Sequence, residues 1–419
     1  MEYVNLILYI GLLFFSIRKK WNKLAIFIVC LWFISAFVGI FYCKMPAPLY
    51  KTAGFDIELS PFLYLFICLI IGLLPIVYVK PESLEITNNH KSFIALLIKV
   101  LAVTSITPFI EVLIHLGITI ANGQFFTMAA NYDAIALGDV EIFHLTWINE
   151  RFLHLQMWFR YVTPVFFFYT LIYKKHFSKF YVIGIFLSAI LSPLYSVTSG
   201  ARTGLIFISA YLIALYFIVE RMLHEEIKAK LKHYAIIGGS VLGVLIVALT
   251  VGRFVLGDKF AGQDGTALEF IAQYTAEPMY NFNNSMWHEP YKTDGYFTFS
   301  HFFTDLGIDD NALKISNNLS AHTKYTRTWY FFTYIGNFFL DYGAIITFFI
   351  LSLLSACFCY MVRKRVLSFS AFLLFSAYIY MIVNGLFYFP YVAGMDGLYV
   401  CIILAILLKI IPKSNYDKI

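Results

Sequence analysis

An arginine beside small residues at the start of an apolar stretch is the clearest sign of binding chemistry in this sequence. Arg202 lies in the run SGARTG at positions 199–204, between two apolar stretches that leave almost no loop. Small residues let an anion approach the backbone, and the N–H groups that open the following helix add positive potential at the same place. A tight turn alone would also use the two glycines. We favour phosphate binding, because the arginine and the helix start coincide.

Two histidine–carboxylate pairs have the i, i+4 spacing that places both side chains on one helix face. Glu111 and His115 lie near the end of the fourth apolar stretch, where ionisable groups are expensive and usually face a cavity. They form either a proton relay or a polar pair between helices. In the second pair, His301 would activate a hydroxyl and Asp305 would orient the imidazole. A surface histidine without a role is the alternative.

Two further carboxylates are candidates for catalysis. Glu277 lies in a long polar segment and would take a proton from an acceptor hydroxyl, as an alternative to His301. Asp341 lies within an apolar stretch and therefore needs a partner, for which Arg327 is the predicted one. No HExxH, DxD or clustered Cys/His spacing is present, so we expect neither a metal nor a cofactor.

The composition places these residues in a membrane protein. Of the 419 residues, 60% are hydrophobic and 13% are charged. Soluble domains carry about 25% charged residues, so a cytosolic enzyme, a disordered chain and a secreted disulfide scaffold are all excluded. The net charge of +6 is scattered between apolar stretches without a dense patch, so we expect no nucleic-acid partner.

The elements that must position these residues are apolar helices. A spanning helix needs about 20 apolar residues, and eleven stretches qualify. They run over 3–17, 24–42, 62–79, 93–120, 157–173, 180–197, 203–219, 234–256, 329–361, 366–389 and 394–411. Gly336 and Gly343 are candidate breaks in the long ninth stretch, so the count is about 11, within 10 to 12. We predict an all-α polytopic membrane protein that forms a single membrane domain over 1–419.

The basic residues give the orientation. Nineteen Lys and Arg residues lie in one set of alternate loops, and such loops favour the cytoplasmic side. The N-terminus is therefore predicted outside and the C-terminus in the cytoplasm. Two larger segments, 121–156 and 257–328, then lie on the outer face, the second as a large loop that covers a site. The inner segment 220–233 is predicted to be a charged helical connector.

Arginines are distributed differently from lysines, because several lie at the predicted outer face. A guanidinium group grips phosphate with two parallel hydrogen bonds, whereas a lysine offers a point charge. For each arginine the alternative is contact with lipid headgroups. As a set they favour an anionic substrate on the outer face. The candidates are Arg160, Arg202, Arg253 and Arg327.

Several features together resemble the bacterial oligosaccharide repeat-unit polymerases, the Wzy or O-antigen polymerase family. They are the many spans, the large outer loop before the last three spans, the SGARTG turn at 199–204, and the stretch from Thr328-Trp329 to Leu340-Asp341-Tyr342-Gly343. The resemblance covers most of the chain.

This resemblance implies a glycosyltransferase of GT-C-type architecture in the bacterial plasma (inner) membrane. The enzyme would transfer a growing glycan from undecaprenyl diphosphate to the non-reducing end of a lipid-linked repeat unit, without a metal or a nucleotide sugar. Its partners would be the lipid-linked donor and acceptor, membrane lipid and a chain-length regulator. Arg202, helped by Arg253 and Arg327, would hold the donor diphosphate, and Arg160 is a fourth candidate for this role.

Two other functions fit some of the same features. An O-antigen ligase needs the same outer diphosphate site. A transporter or flippase of lipid-linked sugars is expected to have related halves and broken helices with charge near the bilayer midplane. The unusual charges of this sequence gather at the outer boundary instead, which ranks transport lower.

Overall fold

The computed structural model describes residues 1–45, 54–87, 90–124, 143–255, 267–309, 311–326, 331–391 and 395–411, with the backbone alone over 250–255 and 267–271. Most of the described residues are α-helical. They form sixteen α-helices and one pair of short β-strands.

The helices and strands are numbered here in chain order. They are α1 (Glu2–Arg18), α2 (Lys23–Tyr42), α3 (Leu59–Tyr78), β1 (Glu85–Thr87), α4 (Lys91–Ala121), α5 (Trp147–Phe159), α6 (Thr163–Ile172), α7 (Lys179–Val197), α8 (Thr203–Val219), α9 (Glu225–Val255), α10 (Ala267–Asn281), α11 (Ser300–Asp305), α12 (Ala312–Asn317), α13 (Leu319–His322), α14 (Tyr334–Val362), β2 (Val366–Ser368), α15 (Phe369–Asn384) and α16 (Asp396–Ile410). A π-helical turn, Phe282–Met286, directly follows α10.

Seven of the described helices are long and apolar enough to cross a membrane: α2, α3, α4, α7, α8, α9 and α14. Helices α6 and α15 are apolar but shorter. Within a bilayer an α-helix satisfies its own backbone hydrogen bonds, and this is why apolar segments of this length fold as helices. The prediction of a nearly all-α chain with several helices able to cross a membrane is therefore confirmed, and the count of about eleven spans stays a prediction.

The predicted stretch 157–173 is not one helix, and this part of the prediction is wrong. Helix α5 ends at Phe159, and α6 begins at Thr163 with Pro164 in its first turn. Proline has no N–H to donate and fits the first turn of a helix, where the N–H groups have no partner within the helix, so Pro164 suits a new helix that begins at Thr163. The break places Arg160 between two helices.

Helix α14 is interrupted at Gly343, one of the two predicted breaks. The backbone of Gly343 has φ 73° and ψ −179°, a conformation that favours glycine. Gly336 stays helical, and a Cβ atom there would lie 3.1 Å from the sulfur of Met286, so close packing explains that glycine instead. The helix thus consists of a short part before Gly343 and a longer apolar part after it.

Two other boundaries differ from the predicted ones. The charged connector 220–233 is mostly the first turns of α9, where Lys228 pairs with Glu225 and Lys230 with Glu226. The predicted stretch 366–389 begins with strand β2, which pairs with β1. The sequence did not predict this pairing of two three-residue strands, because it shows neither a turn signal nor a polar–apolar alternation there.

The chain divides into two compact units. Unit 1 consists of Met1–Ile86, Leu268–Leu367 and Phe375–Met395. Unit 2 consists of Thr87–Ala267, Ser368–Leu374 and Asp396–Ile419.

In unit 1, α3 and α14 run side by side in the same direction. Near the start of α3, the Tyr64 hydroxyl donates to the carbonyl group of Ala344 at 2.7 Å. Further along both helices, the Ser355 hydroxyl donates to the carbonyl group of Ile71 at 2.7 Å. The contacts advance along both helices together, which is possible only for parallel helices.

Helices α2 and α15 run in the opposite direction. The Asn22 side chain before α2 donates to the carbonyl group of Val79 just after α3, at 3.1 Å. The N–H group of Tyr334 at the start of α14 donates to the carbonyl group of Gly385 just after α15, at 2.7 Å. Unit 1 therefore has two ends, each formed by the starts of some helices and the ends of others.

The two ends of unit 1 differ sharply in charge. One end carries the basic residues that flank α1, α2, α3 and α14, namely Arg18, Lys19, Lys20, Lys23, Lys80, Arg363, Lys364 and Arg365. The other end carries residues 267–326, here called the polar segment. There Tyr280 lies edge-on to Tyr42 at the end of α2 and to Phe62 at the start of α3.

In unit 2, small residues let α4 and α7 approach closely. A Cβ atom on Gly184 would lie only 2.7 Å from the Cβ of Ala102, and the Ser105 hydroxyl donates to the Gly184 carbonyl group at 2.8 Å. Gln156 of α5 donates to the carbonyl group of Leu101 at 3.1 Å. Small residues and side-chain hydrogen bonds of this kind hold helices together in a bilayer, where apolar contact alone gives little preference.

Candidate functional site in the polar segment

The polar segment of unit 1 is folded around three buried carboxylates. Glu277 and Glu289 are each 3% exposed, and Asp341 is 0% exposed. Each of them accepts hydrogen bonds from backbone N–H groups of a loop. A carboxylate withdrawn from water is costly unless such bonds compensate it, so these contacts fix the shape of the segment.

Asp341 joins the polar segment to the broken helix α14. Its side chain accepts hydrogen bonds from the Thr293 hydroxyl at 2.5 Å and from the N–H group of Phe297 at 3.1 Å. Its second oxygen accepts from the N–H group of Thr298 at 2.9 Å. In addition, the N–H group of Thr293 donates to the carbonyl group of Leu340 at 3.3 Å. Because both carboxylate oxygens are engaged, the geometry favours a positioning role for Asp341 over the predicted catalytic one.

Glu289 holds the end of the polar segment in the same way. One oxygen accepts from the N–H group of Lys324 at 2.9 Å. The other accepts from the N–H groups of Tyr325 at 2.8 Å and Thr326 at 3.1 Å. Three consecutive N–H groups around one carboxylate are a charge-assisted contact, stronger than bonds between neutral groups. Sequence reasoning did not single out Glu289.

Glu277 lies on α10, and its surroundings alter its acidity. Its Oε1 atom accepts a hydrogen bond from the Asn281 side chain at 3.0 Å, and the carboxylate also accepts from the N–H group of Phe331. Burial raises the pKa of Glu277 to about 7, although these two hydrogen bonds act to lower it. A carboxyl group with a pKa near neutrality can exchange protons at neutral pH, as the predicted catalytic base must.

Two asparagines of the π-helical turn hold the chain before α3. Asn283 accepts from the N–H group of Glu58 at 2.9 Å and donates to its carbonyl group at 2.7 Å. Asn284 donates to the carbonyl group of Phe55. The His288 ring stacks on Phe55 with centroids 4.1 Å apart, and its Nε2 atom lies 3.8 Å from a carboxylate oxygen of Glu58. The polar segment and the start of α3 are therefore one structure.

A lysine lies over aromatic rings beside the break in α14. The Nζ atom of Lys292 is 4.5 Å from the centroid of the Phe339 ring, and this ring stacks on Trp287 at 5.3 Å. Tyr64 lies 5.6 Å from Trp287. Trp287 and Tyr64 are partly exposed. The arrangement offers a positive charge and flat apolar faces together.

His301 and Asp305 lie on the short helix α11, as their spacing predicted. His301 is half-buried, and Asp305 is exposed. Within the described residues no hydrogen bond or ion pair joins them, so Asp305 does not orient the imidazole in this structure. The role of His301 as a base stays a prediction. Among the same residues, no group of three His, Cys, Asp or Glu side chains could hold a metal ion.

In unit 2, Glu111 and His115 both contact the chain that leads into α5. Glu111 accepts from the N–H group of Thr146 at 2.7 Å and from its hydroxyl at 3.0 Å, and Asn149 also donates to it. His115 stacks on Phe143 with ring centroids 3.7 Å apart. Thr146 is the residue before α5, so Glu111 satisfies donors that a helix start leaves without partners. The geometry favours contact between helices over a proton relay.

Arg202 is the residue that immediately precedes α8, at the predicted helix start. Before it, Gly200 has φ 76° and donates to the carbonyl group of Val197 at 2.8 Å, which ends α7. A Cβ atom on Gly204 would lie 3.4 Å from the Cα of Pro193. The turn and the helix packing thus explain both glycines. Phosphate binding at Arg202 stays a prediction.

The other three arginines are placed as follows. Arg160 lies between α5 and α6, with its guanidinium carbon 4.8 Å from the centroid of the Tyr161 ring. Arg327, which was also the predicted partner of Asp341, and the side chain of Arg253 lie outside the described residues. The shared pocket of these arginines therefore stays a prediction.

Sequence reasoning missed Glu289, Asn283 and Lys292, which do much to build this site. The available signal was the run NNS at 283–285 in a strongly aromatic neighbourhood, together with a glutamate close behind it. The partners of these residues lie up to 225 positions away, so spacing could not reveal them.

Comparisons of this chain with protein-family models, with curated proteins and with solved structures find no match.

Proposed function

We propose that this chain polymerises lipid-linked oligosaccharide repeat units at the outer face of a bacterial plasma membrane. The growing glycan moves from undecaprenyl diphosphate to a hydroxyl at the non-reducing end of a lipid-linked repeat unit. The bond between the anomeric carbon and the diphosphate oxygen breaks, a glycosidic bond forms, and undecaprenyl diphosphate leaves. The proposal includes about eleven spans and a GT-C-type architecture.

The observation that carries the proposal is the polarity of unit 1. Eight basic residues flank the helices at one end, and the polar segment lies at the other. Short loops rich in Lys and Arg tend to stay in the cytoplasm, and this supports an outer-face location for the polar segment. A large, folded polar layer on that face is what a transferase needs if its substrates are lipid-linked and external.

The chemistry divides between binding and proton transfer. Arg202, with Arg160, Arg253 and Arg327, holds the donor diphosphate and stabilises the charge that develops on the leaving group. Glu277 takes the proton of the acceptor hydroxyl, and His301 is the alternative base.

Rings at the polar segment support a glycan substrate. Trp287 and Tyr64 are partly exposed and offer flat faces on which sugar rings can stack. Such faces support a sugar chain attached to a phosphorylated lipid as the substrate.

The glycans of a strain that lacks this chain test the proposal against its two rivals. A polymerase deletion leaves single repeat units on the surface lipid. A ligase deletion instead accumulates long polymer on undecaprenyl diphosphate, and a flippase deletion accumulates single lipid-linked repeats in the cytoplasmic leaflet. Either of these last two results rejects the polymerase function.

A further inference from the structure

The fold holds the ammonium group of Lys292 in a defined position. Its Nζ atom donates to the carbonyl group of Glu289 at 3.0 Å and lies 4.5 Å from the centroid of the Phe339 ring. A Cβ atom on Gly343 would lie 3.6 Å from the Cε of Lys292. The lysine is half-buried, unlike Lys314 of the same segment, which is exposed.

No carboxylate among the described residues lies within ion-pair distance of Lys292. The nearby carboxylate of Glu289 is occupied by the N–H groups of residues 324–326. Burial lowers the pKa of Lys292, and the charge of Glu289 opposes this effect in part. A cation partly withdrawn from water without a paired anion is costly, and an anionic ligand would relieve that cost.

The longer part of α14 restarts beside this lysine. Gly343 interrupts the helix, and the 19 residues from 344 to 362 continue it. The start of a helix carries positive potential, which adds to the charge of the ammonium group at the same place. Two independent positive features thus meet next to the Phe339–Trp287 stack.

We infer that Lys292 and the restart of α14 at Gly343 form an anion site that binds a phosphate group of the lipid-linked substrate. This inference rests on the proposed function. It assigns phosphate binding to a lysine of unit 1, whereas the sequence pointed to arginines alone. Trp287, which stacks on Phe339 and is partly exposed, offers an aromatic surface beside this site for the sugar attached to that phosphate.

Lysine labelling of the intact wild-type protein tests the site without any substitution. The full chain is placed in phosphatidylcholine nanodiscs and treated with an amine-reactive acetylating reagent, with and without inorganic pyrophosphate, and the labelled peptides are quantified by mass spectrometry. At pyrophosphate about ten times its Kd, labelling of Lys292 is expected to slow about tenfold, because the site is then free only about a tenth of the time. Labelling of the exposed Lys314 is the internal control and is expected to stay unchanged. Equal labelling of Lys292 with and without pyrophosphate overturns the inference.

Nanodiscs of different lipids separate the substrate from ordinary lipid headgroups. If phosphatidylglycerol nanodiscs slow the labelling of Lys292 as much as pyrophosphate does, the site binds membrane lipid, and the substrate assignment is overturned. Protection by pyrophosphate that persists in phosphatidylglycerol supports the assignment.

Three variants give an independent readout. K292Q is expected to bind pyrophosphate at least about tenfold more weakly, as expected for the loss of a charge-assisted contact. K292R keeps the charge and is expected to retain binding, and K314Q is the matched control. Wild-type affinity in a folded K292Q protein contradicts the inference.

Two experimental outcomes distinguish failure of the anion site from failure of the proposed polymerase function. Glycan extension without protection of Lys292 overturns the inference and leaves the polymerase intact. Protection of Lys292 in a protein that extends no glycan supports the anion site and rejects the polymerase.

Discussion

The carboxylate of Asp341 accepts a hydrogen bond of 2.9 Å from the backbone N–H group of Thr298. This bond links the last turn before the break in α14 to a loop 43 residues earlier in the chain. Asp341 has the burial expected of a catalytic acid, yet its partners are the backbone and a hydroxyl of the polar segment. Its main effect is therefore on the shape of the site.

Substituting Asp341 separates positioning from catalysis. Asp341→Ala leaves two N–H groups buried without acceptors, and each costs about 1–3 kcal/mol, so a marked fall in thermal stability is expected. Asp341→Asn keeps one acceptor oxygen and is expected to lose less. Melting of the detergent-solubilised variants measures this, with Asp305→Asn as the exposed control. A stable Asp341→Asn protein that has lost all transfer activity would instead indicate a catalytic role.

The raised pKa of Glu277 predicts how the stability of the folded protein depends on pH. Its folded-state pKa is raised from 4.5 to about 7, so the folded protein holds the proton more tightly than the unfolded chain. The stabilising contribution is complete below pH 4.5 and is lost as pH rises through about 7. From about pH 5 to pH 8 the expected loss is about 2–3 kcal/mol. Melting curves of Glu277→Gln should lack this dependence, and the same slope in the variant would contradict the assignment.

Gly343 and Gly239 form a matched pair of glycines in apolar helices. Gly343 has φ 73°, so Gly343→Ala strains the backbone and is expected to cost about 1 kcal/mol or more. Gly239 lies within α9, and a Cβ atom there would meet nothing within 4 Å. Gly239→Ala is therefore expected to be neutral or to stabilise by up to about 1 kcal/mol. Comparative melting of the two variants checks this, and equal effects would refute the assigned break in α14.

Glu111 and His115 are expected to respond differently to substitution. Glu111→Ala removes the acceptor at the start of α5, at an expected cost of about 1–2 kcal/mol, and should speed hydrogen exchange at Thr146. His115→Phe keeps an aromatic ring that can stack on Phe143, so activity should be retained. Exchange measured by mass spectrometry and an extension assay provide the two readouts. Loss of activity in a stable His115→Phe protein would instead support a proton relay through Glu111 and His115.

The sequence predicted the architecture well where a single physical rule decides it. Apolar stretches of spanning length became helices because a bilayer leaves the backbone no other partner. Gly343 was one of two candidate breaks, since glycine accepts conformations that other residues avoid, and the other candidate, Gly336, stays helical. The stretch 157–173 was predicted as one helix because composition alone does not show where a helix ends, and the break lies just before Pro164, which is in the first turn of α6.

The candidate site was predictable only in part. Asp341 was found because a carboxylate within an apolar stretch is unusual, and Glu277 was found as a carboxylate of the long polar segment. Most hydrogen-bond partners of these carboxylates, and of Glu289, lie tens of residues away in the sequence. A single sequence contains no periodic pattern that reveals such contacts. Lys292 was missed because a lysine in a polar segment looks like any solvated lysine until the fold places it over Phe339.

Glycan extension by the purified protein tests the central claim most directly. The full chain is incubated, in the presence of a chelator, with a synthetic polyprenyl-diphosphate oligosaccharide that serves as donor and acceptor, and the products are separated by size. The wild-type protein is expected to give a ladder of lipid-linked products longer than one repeat. Arg202→Ala and Arg202→Lys are expected to give none, while Arg221→Lys, the control, behaves as the wild type. A wild-type protein that forms no product beyond the supplied repeat would contradict the polymerase, and a normal ladder from Arg202→Ala would contradict the diphosphate role of that arginine.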